Sequence, residues 1–402
     1  AKVMVRSLTM LALCQVGALS LWFSAAAIVP SLAAEFAIQP EQLAGLTTAT
    51  QLGFVLGALA SAAIGLPDRY DPRTVFAVSA LVAAFANTAL LLAPPDSIAA
   101  ITSRAVIGAA LAGCYPPGMK IAVGWSIARR SLIVSLLVAA LTMGTAAPHL
   151  LALIGGADWR PVVIATSVVG ALSALGIFAV SLGPHHKTAD RFNPGAIVYA
   201  WRNRAIRTAY FGYFGHMWEL YGYWAWVATF AAIAATNAGH SDPVRFGSLI
   251  AFAAITLGAL ACIPVGWLAV SRGKAPVARA VLLASGSSAI LAALTFSAPL
   301  PIFAAILIVW GIAVIPDSAQ FSALVADAAP PDMAGSLLTL QNAIGFALSA
   351  VTVQLVPEVA AHAGWPMAMA ILAIGPAAGA LLVERSIARP PKRPLLPRSP
   401  RP

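Results

Sequence analysis

Apolar residues along this chain fall in blocks of about 20 to 28, each bounded by proline, glycine or charge, and twelve such blocks can be counted. A helix rises about 1.5 Å per residue, so each block is long enough to cross a hydrocarbon core about 30 Å thick. The pattern predicts helix 1 over 8–30, helix 2 over 42–66, helix 3 over 74–93 and helix 4 over 98–125. Helices 5 and 6 follow at 131–154 and 161–183, then helix 7 at 208–236, helix 8 at 245–270 and helix 9 at 277–297. Helices 10, 11 and 12 are expected at 301–326, 334–357 and 365–384. The stretch 184–207 is a long internal polar segment, with room for a short amphipathic helix around 197–207. It separates residues 1–183 from 208–389, six helices in each. The last stretch, 390–402, is basic and rich in proline, a composition that favours disorder.

Composition turns twelve helices into twelve membrane spans. Apolar residues make up 60% of the chain and charged residues 9%, against about 25% charged in a soluble domain. Lipid tolerates such an exterior and water does not. The expectation is an all-α integral membrane protein surrounded by lipid bilayer. The first block is long enough to span and has no small-residue cleavage site behind a short core, so it reads as a span and not as a signal peptide. Cys14, Cys114 and Cys262 all lie inside apolar blocks without metal spacing, and are read as packing residues with no disulfide.

The net charge of +10 orients the chain. With the N-terminus in the cytoplasm, 20 of the 24 Lys and Arg residues lie on the cytoplasmic side. Arg160 and Arg245 lie on the other, and Arg104 and Lys120 fall within helix 4. Short loops obey this bias well, so both termini are expected inside a bacterial inner membrane. The basic residues are scattered over short loops and form no extended face, which argues against a nucleic-acid partner.

The two halves repeat weakly. Cys114-Tyr115-Pro116-Pro117-Gly118-Met119-Lys120 in helix 4 aligns with Val314-Ile315-Pro316-Asp317-Ser318-Ala319-Gln320 in helix 10 at an offset of 200. Asp158-Trp159-Arg160 precedes helix 6 as Gly364-Trp365-Pro366 precedes helix 12. The loop between helices 2 and 3 reads Gly65-Leu66-Pro67-Asp68-Arg69-Tyr70-Asp71-Pro72-Arg73. It resembles the signature loop of the major facilitator superfamily, an Asp-Arg pair followed four residues after the Arg by a basic residue. Here Asp71 replaces the usual glycine. Arg104-Ala105-Val106-Ile107-Gly108 is similar to that superfamily's Arg-x-x-x-Gly signature. The helix 5 antiporter signature is present only as Gly144-Thr145-Ala146-Ala147-Pro148, and the nitrate-type glycine-rich signatures are absent. The runs from Tyr115 to Lys120 and from Asp317 to Gln341 are loosely similar to bacterial cyanate-type permeases.

The resemblance implies two pseudo-symmetric six-helix bundles rocking about a cavity lined mainly by helices 1, 4, 7 and 10. It also implies that the Asp68 loop lies near the start of helix 11, around 333–337. A carboxylate there can latch onto the positive end of that helix. Asp68, Arg69, Arg73, Arg129 and Arg130 are therefore expected to form a cytoplasmic gate, with Asp327 and Asp332 as opposing charges from the second half.

A charge at bilayer depth costs at least about 2.5–3.5 kcal/mol, so each one needs a reason. Arg104, Lys120, Glu219 and Asp317 are such charges, with His149 and His216 as milder cases. Glu219 sits about 16 Å into helix 7, among His216, Trp218 and Tyr221, where a proton-carrying acid is expected. Trp224 and Trp226, nearer the outer end, fit an interfacial belt. Asp317 follows Pro316 at a predicted kink, with Gln320 a turn further on and Gln341 and Asn342 entering from helix 11. Arg104 and Lys120 lie about 24 Å apart along helix 4, so they cannot both hold one small solute. Gln15, Trp22 and Gln51 are candidate lining residues only because helices 1 and 2 supply the cavity in that family.

The expectation is a monomeric, proton-coupled secondary transporter of a small anionic or zwitterionic solute, with no metal and no cofactor. An efflux pump for amphipathic compounds and a transporter-fold assembly factor or receptor that moves nothing are the rivals. A membrane enzyme has the least support: no His-x-x-x-His pair, phosphate loop, or nucleophile with a nearby base is present.

Overall fold

A computed structural model describes residues 2–38, 43–64, 66, 70–125, 130–155, 158–184, 193–330 and 333–383. Ten helical stretches are long and apolar enough to cross a membrane. One of them, 334–382, contains a turn at Gly364 (φ +82°) and makes two spans, helices 11 and 12. Helix 7, Arg204–Asn237, has 34 residues but is diluted by polar and aromatic side chains, and completes the twelve. At Gly364 the positive φ is a conformation that glycine adopts without a Cβ clash, so helix 11 passes into helix 12 without a loop.

Several helices are longer than the hydropathy suggests. Helix 1 runs Lys2–Leu19 and Ser24–Phe36, and helix 8 runs Pro243–Arg272. The amphipathic segment of the central linker is Gly195–Arg202, and it packs on helices 7 and 11. Helices 4 and 10 are broken at corresponding places. Helix 4 comprises Ile98–Leu111 and Tyr115–Val123, and helix 10 comprises Leu300–Val314 and Ser318–Ala328. Pro116, Pro117 and Pro316 lack the N–H that would continue the ladder, which explains both breaks. Helix 1 breaks without proline. There Ser20 and Ser24 turn their hydroxyls onto the carbonyls of Gly17 and Leu21, a local competitor to the helical bond.

The two bundles echo each other in packing. A Cβ on Gly53, Gly57 or Gly108 would collide with backbone across the contact of helix 2 (Ala44–Ile64) with helix 4. Gly258 and Gly311 permit the same close approach between helices 8 and 10. Small residues let backbones approach closely where lipid offers no hydrophobic drive. Trp159 and Trp365 each stand where helix 6 (Arg160–Gly176) or helix 12 begins and pack on the end of helix 1 or 7. Trp159 Nε1 donates to Glu35 at 2.7 Å, and the Trp365 ring lies 5.6 Å from that of Phe230.

The bundles meet along helices 2 and 11, along helix 5 (Arg130–Gly155) and helix 8, and along the second piece of helix 1 and helix 7. Between helices 2 and 11 the contacts step inward from the side opposite the termini. Thr48 donates to Gln354 at 3.4 Å, Ser349 donates to Gln51 at 3.3 Å, and the rings of Phe54 and Phe346 are 4.5 Å apart. One expectation is overturned by this packing. Trp224 and Trp226 are no interfacial belt, because both are 1% exposed and face protein. Trp226 Nε1 donates to the carbonyl of Val353 on helix 11.

Candidate functional site

Helix 7 carries the site because its residues divide over distinct faces. Positions three, four and seven apart share a helix face. His216, Glu219 and Tyr223 form one such face and point into their own half. His216 Nδ1 approaches Asp317 Oδ1 at 2.7 Å, and Glu219 meets helices 9 and 10. Tyr223 donates to the carbonyl of Leu307 at 2.6 Å. Tyr213, Tyr221 and Trp224 lie on the face toward helix 11 and the other half. Trp218 is on neither; its indole donates to the carbonyl of Ile371 at 3.0 Å, against helix 12.

Both oxygens of Glu219 are occupied. Trp310 Nε1 donates to Oε1 at 2.8 Å, and Ser285 Oγ donates to Oε2 at 2.7 Å. Neither donor carries charge. Asp317 caps the second piece of helix 10 by position, yet its side chain makes no cap hydrogen bond. Its contact with His216 is close but lacks hydrogen-bond alignment, which leaves both buried groups without an oriented partner among the described residues. Glu219 and Asp317 lie within electrostatic reach of each other. Gln320 is buried one turn beyond Asp317.

Arg104 is the counterpart of this group in the first half, and it is wholly buried. Nε donates to Thr50 Oγ1 at 3.2 Å, and Nη1 donates to Ser24 Oγ and Asn87 Oδ1 at 3.0 and 3.1 Å. Nη2 donates to the carbonyls of Leu21 and Trp22 at 3.1 and 2.5 Å. All five guanidinium N–H groups are thus used, and every acceptor is neutral. Asn87 continues the network to Val163, Thr166 and Ser167 of helix 6. Arg104 ties helix 4 to helices 1, 2 and 3, Asn87 extends the network to helix 6, and Arg104 bonds the carbonyls of Leu21 and Trp22 at the break in helix 1. No hydrogen bond or ion pair joins Arg104 to Glu219 among the described residues.

Between the halves lies a group of rings. Trp22 and Phe23 from the break in helix 1 and Phe54 from helix 2 meet Tyr221, Trp224 and Phe346 of the second half. Trp22 lies 5.9 Å from Tyr221 and 5.3 Å from Phe346. Tyr115 of helix 4 lies within electrostatic reach of Tyr213 and Tyr221 of helix 7. Tyr213 donates to Asn342 Oδ1 at 3.0 Å. Gln15 Nε2 donates to the carbonyl of Cys114 at the helix 4 break. Gln341 and His149 are fully buried, and their side-chain polar atoms have no partner among the described residues. Lys120 is half-buried near the terminus-side end of helix 4 and is engaged by a neighbour.

The expected gate is only partly described. Asp68, Arg69, Arg129 and Asp332 and the side chain of Arg130 lie outside the described residues. Arg73 is held within its own half, 2.7 Å from Asp71 and donating to the carbonyl of Val180. Asp327 pairs with Lys274 at 2.5 Å, also within its own half. The cations expected to oppose Asp327, Arg129 and the side chain of Arg130, lie outside the described residues. Sequence reasoning passed over Ser24, Asn87, Ser285 and Trp310. Each is a polar-tipped residue inside an apolar block, and that was the available signal.

The whole chain is similar in fold to known transporters. A point mutant of the nucleoside transporter NupG superposes with a TM-score of 0.73 at 14% identity, covering 96% of this chain and 100% of that one. A bacterial homologue of the human lysosomal transporter Spinster, inward-facing and occupied, superposes with a TM-score of 0.68 at 17% identity, covering 96% and 99%. Among curated proteins none matches the chain. Residues 11–353 match the sequence profile of the Major Facilitator Superfamily, and the chain belongs to that family of multi-pass membrane transporters.

Proposed function

We propose that the chain is a proton-coupled secondary transporter that carries a small solute by alternating access. In this reading it works as a monomer in a bacterial inner membrane, with both termini cytoplasmic. The supporting observation is the buried trio Glu219, Asp317 and His216. Among the described residues no Lys or Arg lies within ion-pair distance of either carboxylate. Acids held at membrane depth without a fixed counter-charge are residues that a proton can neutralise, and they mark proton pathways elsewhere. The charge bias of the loops supports the orientation.

An anionic or zwitterionic solute rests on Arg104 and Lys120 as attracting groups. Arg104 has no donor left for a solute, and Lys120 is engaged. That weakens the case for an anion. Export of amphipathic aromatic compounds is the second reading, favoured by the rings between the halves. Transport instead of catalysis or passive scaffolding is the common ground of both.

The test uses Glu219→Gln in proteoliposomes, with a solute found by thermal-shift screening of the purified protein. The variant keeps an acceptor and the side-chain volume, so it is expected to fold and to bind. Accumulation driven by an imposed pH gradient should disappear while counterflow exchange persists. Gradient-driven accumulation equal to wild type would make Glu219 a structural acid and end its role in coupling.

A further inference from the structure

We infer that the ring cluster between the halves is a binding site for an uncharged, planar heteroaromatic compound with hydrogen-bond acceptors on its edge. This rests on the transport reading above and names the solute class of that site. The first observation is the arrangement of the rings. Trp22, Phe23 and Phe54 stand on one half and Tyr221, Trp224 and Phe346 on the other. The pairs cross the interface, and Phe23 and Tyr221 are nearly parallel, 18° apart. Halves that part by about 3.5 Å, the thickness of one ring, would open a slot faced by aromatics on both sides. A flat ring fills such a slot with offset or edge contacts on each face. A puckered sugar has no second flat face to offer.

The second observation concerns the polar atoms of the cluster. Trp22 Nε1, Trp224 Nε1 and Gln51 Nε2 are buried and have no acceptor among the described residues. Buried polar groups are almost always paired, so unpartnered ones need an explanation. All three are donors. The complement is a carbonyl or ring nitrogen in the plane of the solute. Gln51 is fixed beside the rings, because its own oxygen accepts from Ser349, three residues beyond Phe346.

The third observation is charge. Arg104, the buried cation of the first half, bonds the cluster through the carbonyl of Trp22 and has its five N–H groups engaged by neutral acceptors. The second half contributes buried acids and no buried Lys or Arg among the described residues. A buried anion would gain three neutral donors and lose its hydration without a counter-ion, an unfavourable exchange. A neutral ring carries no such penalty.

Nicotinamide and nicotinate make the test, because they share a ring and differ in charge; uracil serves as a second neutral ring. Binding to the full-length chain in detergent is read by isothermal titration calorimetry. A neutral ring is expected to bind saturably and about tenfold or more tightly than nicotinate. Trp22→Phe, which keeps a ring and removes the N–H, and Gln51→Leu should each weaken it by about threefold to tenfold. Trp365→Phe, outside the cluster, should leave it unchanged. Gln51→Met is measured beside Gln51→Leu, and unfolding midpoints identify any variant that misfolds. Nicotinate binding as tightly as the neutral rings would overturn the inference. So would the absence of saturable neutral binding, or wild-type affinity in folded Trp22→Phe and Gln51 variants. The expected binding pattern without flux into proteoliposomes would keep the site and remove the transport reading. Flux of an anionic solute without neutral-ring binding would do the reverse.

Discussion

Arg104 donates through Nη2 to the backbone carbonyl of Trp22, whose indole ring packs against Tyr221 of the opposite half. The buried cation therefore shapes the interface through the main chain, by holding the break in helix 1 where the ring emerges. A cation with every donor engaged by its own half acts as a clamp.

That clamp can be tested by Arg104→Lys. Lysine offers three donors from one atom, where the guanidinium offers five in a plane. At least two acceptors around the helix 1 break lose their donor. A loss of more than about 2 kcal/mol in stability is expected. Thermal unfolding in detergent reads it, and an unchanged midpoint would show that the network is dispensable.

Close packing of helices 2 and 4 makes Gly108→Ala unfavourable. The added methyl collides with the backbone carbonyl of Thr50, which cannot rotate away. A cost of about 1–3 kcal/mol is expected. Gly335→Ala is the control, since that position meets nothing within 4 Å. In the first turn of helix 11 alanine should be neutral or stabilising, by up to about 1 kcal/mol. Equal midpoints for the two variants would contradict the packing.

The latch is tested by Asp68→Asn. Helix 11 starts at Ala334, and Met333 at its N-cap provides no side-chain acceptor. A carboxylate arriving there would meet the first-turn N–H groups, which have no intrahelical acceptor, and the positive end of the helix. The variant should stay folded and transport more slowly. An unaltered rate together with unaltered accessibility of the terminus-facing side would rule the latch out.

Topology is tested with single cysteines in a chain lacking Cys14, Cys114 and Cys262. Gly195→Cys, in the linker helix, should react only with reagent on the cytoplasmic side. His240→Cys, in the exposed turn between helices 7 and 8, should react only from the opposite side. Labelling of position 195 from outside the cell would invert the orientation.

Twelve spans in two halves were legible in the sequence because hydropathy is a local property. A segment of about 20 apolar residues must satisfy its own backbone as a helix wherever it sits in lipid. Pro316 likewise announced the break in helix 10, since a missing N–H acts on its own turn, whereas the break of helix 4 before Pro116 and Pro117 emerged only in the structure. The chemistry-bearing residues could be picked out for the same reason, as polar side chains in apolar surroundings. Their partners could not. Arg104 finds acceptors 17 to 83 residues away, on three other helices. Glu219 finds donors 66 and 91 residues away, on helices 9 and 10. Trp218, Tyr221 and Trp226 are near neighbours in sequence, yet they face helix 12, the opposite half and helix 11 respectively. Which face a membrane helix turns to which neighbour depends on side-chain fit between helices, and a run that is apolar all round carries no periodic signal of it. Only the packed structure decided that the buried cation uses its donors within its own half, and that a layer of neutral rings lies between the halves with donors that find no acceptor among the described residues.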